Sequence, residues 1–129
     1  MFPGDVIDER FEVERFVARG GMGDVYRARD RATGKIVALK FLIDEQEALL
    51  HRLDREARVL AALDHPGIVA YVAHRATRGS AYLAMEWLDG VSLAEHIARG
   101  RLTVDQTLAL GICVRCARAM FAPPRDPKR

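Results

Sequence analysis

The chain has 129 residues, 50% of them hydrophobic, 29% charged and 7% aromatic, the composition of a single soluble globular domain that buries roughly 65% of its unfolded surface. Its 20 Lys and Arg against 18 Asp and Glu leave a formal charge of +2, too small a field to hold nucleic acid or an anionic membrane by charge. No apolar run approaches the roughly 20 residues of a membrane helix, Met1-Phe2-Pro3-Gly4-Asp5 lacks a secretory n-region, and two cysteines are too few for a disulfide framework, so the expected setting is cytoplasmic.

Residues 1–10 show no periodicity and are expected to form an N-terminal extension. Phe11, Val13 and Val17 alternate with Glu12 and Glu14, which predicts a half-buried strand over 11–18. The glycine cluster Gly20-Gly21-Met22-Gly23 ends it, and Val25 to Arg29 alternates again. Asp30-Arg31-Ala32-Thr33-Gly34 supplies turn chemistry before a third strand over 35–42.

From Asp44 the period becomes helical. Asp44 is placed to cap, Glu47 follows three residues later as in a capping box, and Leu49, Leu50, Leu53, Ala57 and Leu60 recur at helical spacing up to about Leu63. Asp64-His65-Pro66-Gly67 is a turn, and residues 68–74 and 81–87 read as two more strands around Thr77-Arg78-Gly79-Ser80. After Asp89-Gly90, Ser92 with Glu95 and Thr103 with Gln106 have capping-box spacing and open a short helix and a longer one expected over 104–121. Three prolines, Pro123, Pro124 and Pro127, rule out a helix in the tail 122–129, which is expected to be disordered.

Glycines between two strands permit a tight hairpin and let backbone N–H groups approach phosphates, although a plain turn needs the same residues. A dinucleotide-binding turn would require a helix after the glycines, whereas Asp24-Val25-Tyr26-Arg27 reads as strand. A P-loop at Gly34-Lys35 fails because Ile36 stands where Ser or Thr should meet magnesium and Arg29 where the first glycine should be.

Lys40 lies in a strand otherwise made of Ile36, Val37, Ala38, Leu39 and Phe41, so an inward-pointing ammonium needs a partner, while a strand-end lysine in water needs none. At about 100° per residue, Leu49, Leu53, Ala57 and Leu60 share one helix face, with Glu56 about 60° from its centre and Asp54, Arg55 and Arg58 pointing away. Glu56 is the candidate partner; the alternative is a solvated glutamate paired with Arg52 or Arg55.

In the pattern G-x-G-x-x-G-x-V followed by V-A-I-K, Gly20 and Gly23 match the second and third glycines, Ala18 replaces the first, Val25 matches the valine and Val37-Ala38-Leu39-Lys40 the lysine motif. His65-Pro66-Gly67-Ile68-Val69 is similar to an H-P-N-I-V turn, and Met85-Glu86-Trp87-Leu88-Asp89-Gly90 to a gatekeeper and hinge. Together these segments resemble the nucleotide-binding lobe of protein kinases, and Gly-Gly-Met-Gly-Asp-Val-Tyr is most similar to bacterial (eukaryotic-like) serine/threonine protein kinases.

The resemblance implies an α+β fold with a five-stranded antiparallel sheet and one packed helix over 11–88, followed by the first helices of a second lobe over 89–121. It implies ATP as the nucleotide, with Lys40 pairing the α and β phosphates and Glu56 as its partner in the catalytic ion pair. Ala18, Gly20, Gly21 and Gly23 would form the phosphate turn, Val17, Val25 and Ala38 the adenine walls, and Met85 the gatekeeper. The Glu86 carbonyl and Leu88 amide would meet the adenine edge, and the His65 turn would be structural.

The family's catalytic loop H-R-D-x-x-x-x-N and its D-F-G supply the base and the Mg2+ ligands, and neither occurs in these residues. Pro124-Arg125-Asp126-Pro127-Lys128 is only faintly similar to that loop. No metal site is expected, because Cys113 and Cys116 would be neighbours on one helix face and zinc would need two further ligands. The sequence therefore reads as the ATP-binding part of a serine/threonine kinase, inactive by itself. The alternative is a non-catalytic kinase-like module that docks on another kinase and regulates it; the partners expected are ATP and either another kinase or a missing second lobe.

Overall fold

The structure, a computed structural model, describes residues 1–21 and 23–110. Contacts divide it into two compact units, one of Met1–Asp64 with Val69–Leu88 and a second of His65–Ile68 with the residues from Asp89 onward.

The first unit is an antiparallel sheet with one helix. Its strands are β1 (Val6–Ile7), β2 (Phe11–Arg19), β3 (Gly23–Asp30), β4 (Ile36–Leu42), β5 (Tyr71–Thr77) and β6 (Ser80–Glu86), in the order β1-β2-β3-β4-β6-β5. The helix α1 (Glu47–Ala61) connects β4 to β5.

Five strands were expected, and among the described residues six are present. The extra one, β1, is only two residues long and pairs Val6 with Glu12 and Ile7 with Phe11 across a turn in which Asp8 and Glu9 take φ of 56° and 55°. The left-handed backbone at both positions is the geometry of a primed hairpin turn. Asp8 anchors that turn to the far side of the sheet: it accepts a 2.6 Å hydrogen bond from the Tyr82 hydroxyl and pairs with Arg75 at 2.7 Å. Burial, then the hydrogen bond to Asp8, pushes the Tyr82 phenol well above its ordinary value.

Because β1 and β5 are the two sheet edges, the Asp8–Arg75 contact curls the sheet around a first apolar cluster. Phe11, Val13, Tyr26, Ala28, Val37, Leu39, Tyr82 and Ala84 are all buried there, with Ile7 and Val72 from the two edges packed against them. Alternation places the other parity on the opposite face, where Leu42, Ala81 and Leu83 bury Leu53 and Ala57 of α1.

Asp30 is 1% exposed at the end of β3, where both carboxylate oxygens receive the Arg10 guanidinium, at 2.9 and 2.8 Å, and Oδ1 also accepts the Ala32 N–H. These bonds, led by that from Arg10, hold its carboxyl below the usual range.

Three local expectations need correction. Asp44 does not cap α1: Gln46 is the N-cap residue without a side-chain cap bond, and the Asp44 carboxylate accepts the Gln46 N–H instead. The strand expected over 68–74 runs from Tyr71 to Thr77, with a register shift between Tyr71 and Ala73. The strand expected to begin at Val25 starts at Gly23.

In the second unit, α2 (Leu93–Arg99) is capped by the Ser92 hydroxyl, which accepts the Glu95 N–H at 3.1 Å. Residues 104–110 are helical and open on a reciprocal capping box, Gln106 N–H to Thr103 Oγ1 at 3.2 Å and Thr103 N–H to Gln106 Oε1 at 3.0 Å. The rest of the helix expected to 121, Cys113, Cys116 and the tail 122–129 lie outside the described residues. Among the described residues no helix is long and apolar enough to cross a membrane.

Candidate functional site

Strand register decides which candidate residues share a surface. Ala18 faces Val25, Val25 faces Lys40, Lys40 faces Leu83 and Leu83 faces His74. Two residues along, Arg27, Ala38 and Met85 form the neighbouring row. Ala18, Val25, Ala38, Lys40 and Met85 therefore lie on one face of the sheet, the face on which α1 packs.

Lys40 Nζ lies 3.1 Å from Glu56 Oε1, with the two side chains 20% and 43% exposed. An ion pair this open contributes only about 0–1 kcal/mol by itself. Beside it runs the buried stripe of α1, where Leu53 and Ala57 are both 0% exposed. The ammonium emerges between Val25 and Leu83 on the neighbouring strands, which is a place to hold an anion against an apolar wall.

The glycines do different jobs. Gly20 N–H donates to Gly23 O at 2.7 Å, closing a hairpin between β2 and β3. Below it, Arg19 Nε pairs with the nearly buried Asp24 at 3.0 Å. Gly21 has nothing within 4 Å of where a Cβ would stand, whereas a Cβ on Gly23 would lie 2.1 Å from Phe41 O. Gly21 thus has open space where a side chain would stand, and Gly23 lets β3 and β4 approach each other. Met22 lies outside the described residues.

Val17 falls within the register shift between Phe16 and Ala18 and is 38% exposed. Glu86 ends β6, its carboxylate accepting the Ala70 N–H at 3.0 Å, and Leu88 beyond it is 60% exposed. Between them the guanidinium carbons of Arg15 and Arg27 stand 5.7 and 5.5 Å from the centroid of the Trp87 ring, and Arg27 is also paired with Glu14. These charges brace the segment after β6 against β2 and β3. In the second unit, His65 Nδ1 accepts the Gly67 N–H at 2.9 Å, which makes it part of its own turn.

One cluster escaped the sequence. His74 Nε2 lies 3.0 Å from Asp54 Oδ1, its Nδ1 lies 2.8 Å from the Tyr71 hydroxyl, and Arg58 Nε donates to Asp54 Oδ2 at 2.7 Å. The bonds from His74 first, then from Arg58, hold the Asp54 carboxyl below its usual range. The helical wheel places Asp54 off the packed face, and no sequence spacing connects it to a strand 20 residues on.

Comparison with known proteins adds to this geometry. The profile of the Protein kinase domain family matches residues 11–120. Serine/threonine-protein kinase pkn2 of Myxococcus xanthus is 36% identical over 108 residues, covering 81% of this chain and 13% of that protein. Serine/threonine-protein kinase PknE of Mycobacterium tuberculosis is 34% identical over 126 residues, covering 92% of this chain and 22% of that protein. Among solved structures, the Mycobacterium tuberculosis PknI kinase domain superposes with a TM-score of 0.75 at 26% identity, covering 88% of this chain and 48% of that one. The chain thus spans about a fifth or less of these two curated relatives and about half of the solved domain.

Proposed function

This chain belongs to the protein kinase family, its match lying in the N-terminal part of the kinase fold, and on that premise we propose that its first unit is the ATP-binding lobe of a serine/threonine kinase. The observation that carries the reading is the contact of Lys40 with Glu56 at 3.1 Å, on the same sheet face as Val25, Ala38 and Met85. An ammonium fixed by a carboxylate beside an apolar wall suits a nucleotide, with the base on the wall and the phosphates at the charge.

In this reading Val17, Val25, Ala38 and Met85 bound the adenine, and the Glu86 carbonyl and Leu88 N–H bond its edge. Ala18, Gly20, Gly21 and Gly23 shape a turn whose open backbone faces the phosphates. Lys40 supplies positive charge there, and Glu56 keeps that charge from swinging into solvent.

The family holds Mg2+ with a D-F-G aspartate and a catalytic-loop asparagine. Neither motif is in this sequence, and among the described residues no three His, Cys, Asp or Glu side chains converge to hold a metal ion. These residues do not by themselves fit that ion. They also place no carboxylate to accept a hydroxyl proton in the family's way, so the chain holds a nucleotide without aligning an acceptor for transfer.

Incubation of the purified chain with radiolabelled ATP and a serine- and threonine-containing acceptor protein tests this. No label is expected in the acceptor. Label that disappears in Lys40→Met would overturn the assignment of a non-transferring ATP lobe.

A further inference from the structure

We propose that Asp54 is a positioning residue: with His74 it forms the second of two ties, on opposite edges of α1, that fix the roll of the helix and so keep Glu56 at Lys40. The proposal rests on reading Lys40 and Glu56 as the nucleotide-site pair.

The placement follows from register. Lys40 and His74 both face Leu83, one from each neighbouring strand, so their backbones stand about 10 Å apart, two strand spacings. Above Leu83, α1 buries Leu53 and Ala57. Glu56 reaches down on one side to Lys40 at 3.1 Å, and Asp54 on the other to His74 at 3.0 Å.

Two residues along a helix are separated by about 160° around its axis, so the acids straddle the buried stripe. A roll that brings one nearer the sheet lifts the other away. Side-chain tips lie about 5–6 Å from the axis, and a roll of about 20° moves each by about 2 Å, enough to part either hydrogen bond.

Smooth apolar contacts resist separation of helix from sheet more than rotation upon it, because burial is nondirectional. Directional bonds at both edges supply what the apolar stripe lacks. Tyr71 orients the His74 ring through Nδ1 at 2.8 Å and an edge contact with centroids 5.8 Å apart. Arg58 holds the second oxygen of Asp54 at 2.7 Å. His74 and Asp54 thus meet with both partners already oriented.

Competitive acetylation read by mass spectrometry tests the tie on the full chain. The chain contains three lysines, Lys35, Lys40 and Lys128, and exposed Lys35 on the β3–β4 turn serves as internal reference. Glu56→Gln, which releases Lys40 directly, sets the upper limit. Asp54→Ala and His74→Phe are each expected to raise Lys40 modification relative to Lys35 by about threefold, the scale of losing one partly exposed ion pair. The double variant should rise no further than either single one. Asp54→Asn keeps an oxygen to accept from His74 and should stay near the parent.

His74→Phe retains a ring against Tyr71, so the comparison stands even if Asp54→Ala fails to fold by circular dichroism. Unchanged Lys40 reactivity in Asp54→Ala or His74→Phe, alongside a rise in Glu56→Gln, overturns the tie. No rise in Glu56→Gln overturns the ion pair and the proposal with it. A rise in Asp54→Ala in a protein that binds no ATP supports the tie and counts only against the nucleotide reading.

Discussion

Gly23→Ala separates the two roles a glycine in a phosphate turn can have. A Cβ at this position would stand 2.1 Å from the Phe41 carbonyl oxygen, 2.9 Å from its carbon and 3.1 Å from Leu42 Cα. All three atoms are β4 backbone, so no side chain can swing aside, and relief requires β3 and β4 to part by about 1 Å from a spacing of about 4.8 Å. Overpacking of this kind destabilises by about 1–3 kcal/mol, while alanine's smaller unfolded-state entropy returns about 0.4–1 kcal/mol. The net loss, about 1.3 kcal/mol at the middle of these ranges, lowers the thermal midpoint by about 5–10 °C for a unit of this size. Thermal unfolding by circular dichroism reads it, with Gly21→Ala as the control because nothing lies within 4 Å of its added methyl. A Gly23→Ala midpoint as high as that of Gly21→Ala would refute the close approach of the two strands.

Three further substitutions probe the frame around the site. Asp30→Asn removes the buried charge that holds Arg10 and should lower the free energy of urea unfolding at pH 7 by about 1–3 kcal/mol. Because the native Asp30 carboxyl is held below its ordinary value, its contribution is complete above that value, about pH 4, and is lost as pH falls through the native one. The gap between parent and variant should therefore narrow below about pH 4, and a gap independent of pH would contradict the ion pair. Leu53→Ala empties a fully buried position under α1 and should destabilise by about 2–5 kcal/mol in urea titrations. Glu9→Gly relieves a left-handed backbone at φ 55° and should stabilise by about 0.5 kcal/mol, the left-handed penalty less glycine's extra chain entropy; a lower melting midpoint would contradict the turn.

Much of the site was legible because its residues sit in periodic elements. Alternation in 35–42 puts Lys40 on the opposite parity from Val37 and Leu39, and the helical period puts Glu56 beside the Leu53–Ala57 stripe, so both signals are carried by local backbone geometry. What escaped is a hairpin too short to pattern, a cap that local bonding diverts, and one contact distant in sequence. The strand Val6–Ile7 is too short to show a period, and its turn carries Glu9 at the second left-handed position, where such turns favour glycine. Asp44 had a suitable side chain for a cap, but its carboxylate bonds Gln46 N–H before the helix begins. Asp54 looked solvated on the wheel, because the strand carrying His74 approaches that edge of α1 only after the chain has turned back.

Nucleotide titration followed by amide NMR tests the ATP-lobe assignment most directly. ATP should shift the amides of Gly20, Gly21, Gly23, Val25, Lys40 and Leu88 and leave those of Asp8, Arg75 and Tyr82, around the other apolar cluster, in place. Lys40→Met should weaken the titration by at least about tenfold, the scale of one charge-assisted phosphate contact. Shifts confined to the Asp8–Arg75–Tyr82 side, or equal affinity in Lys40→Met, would contradict the account.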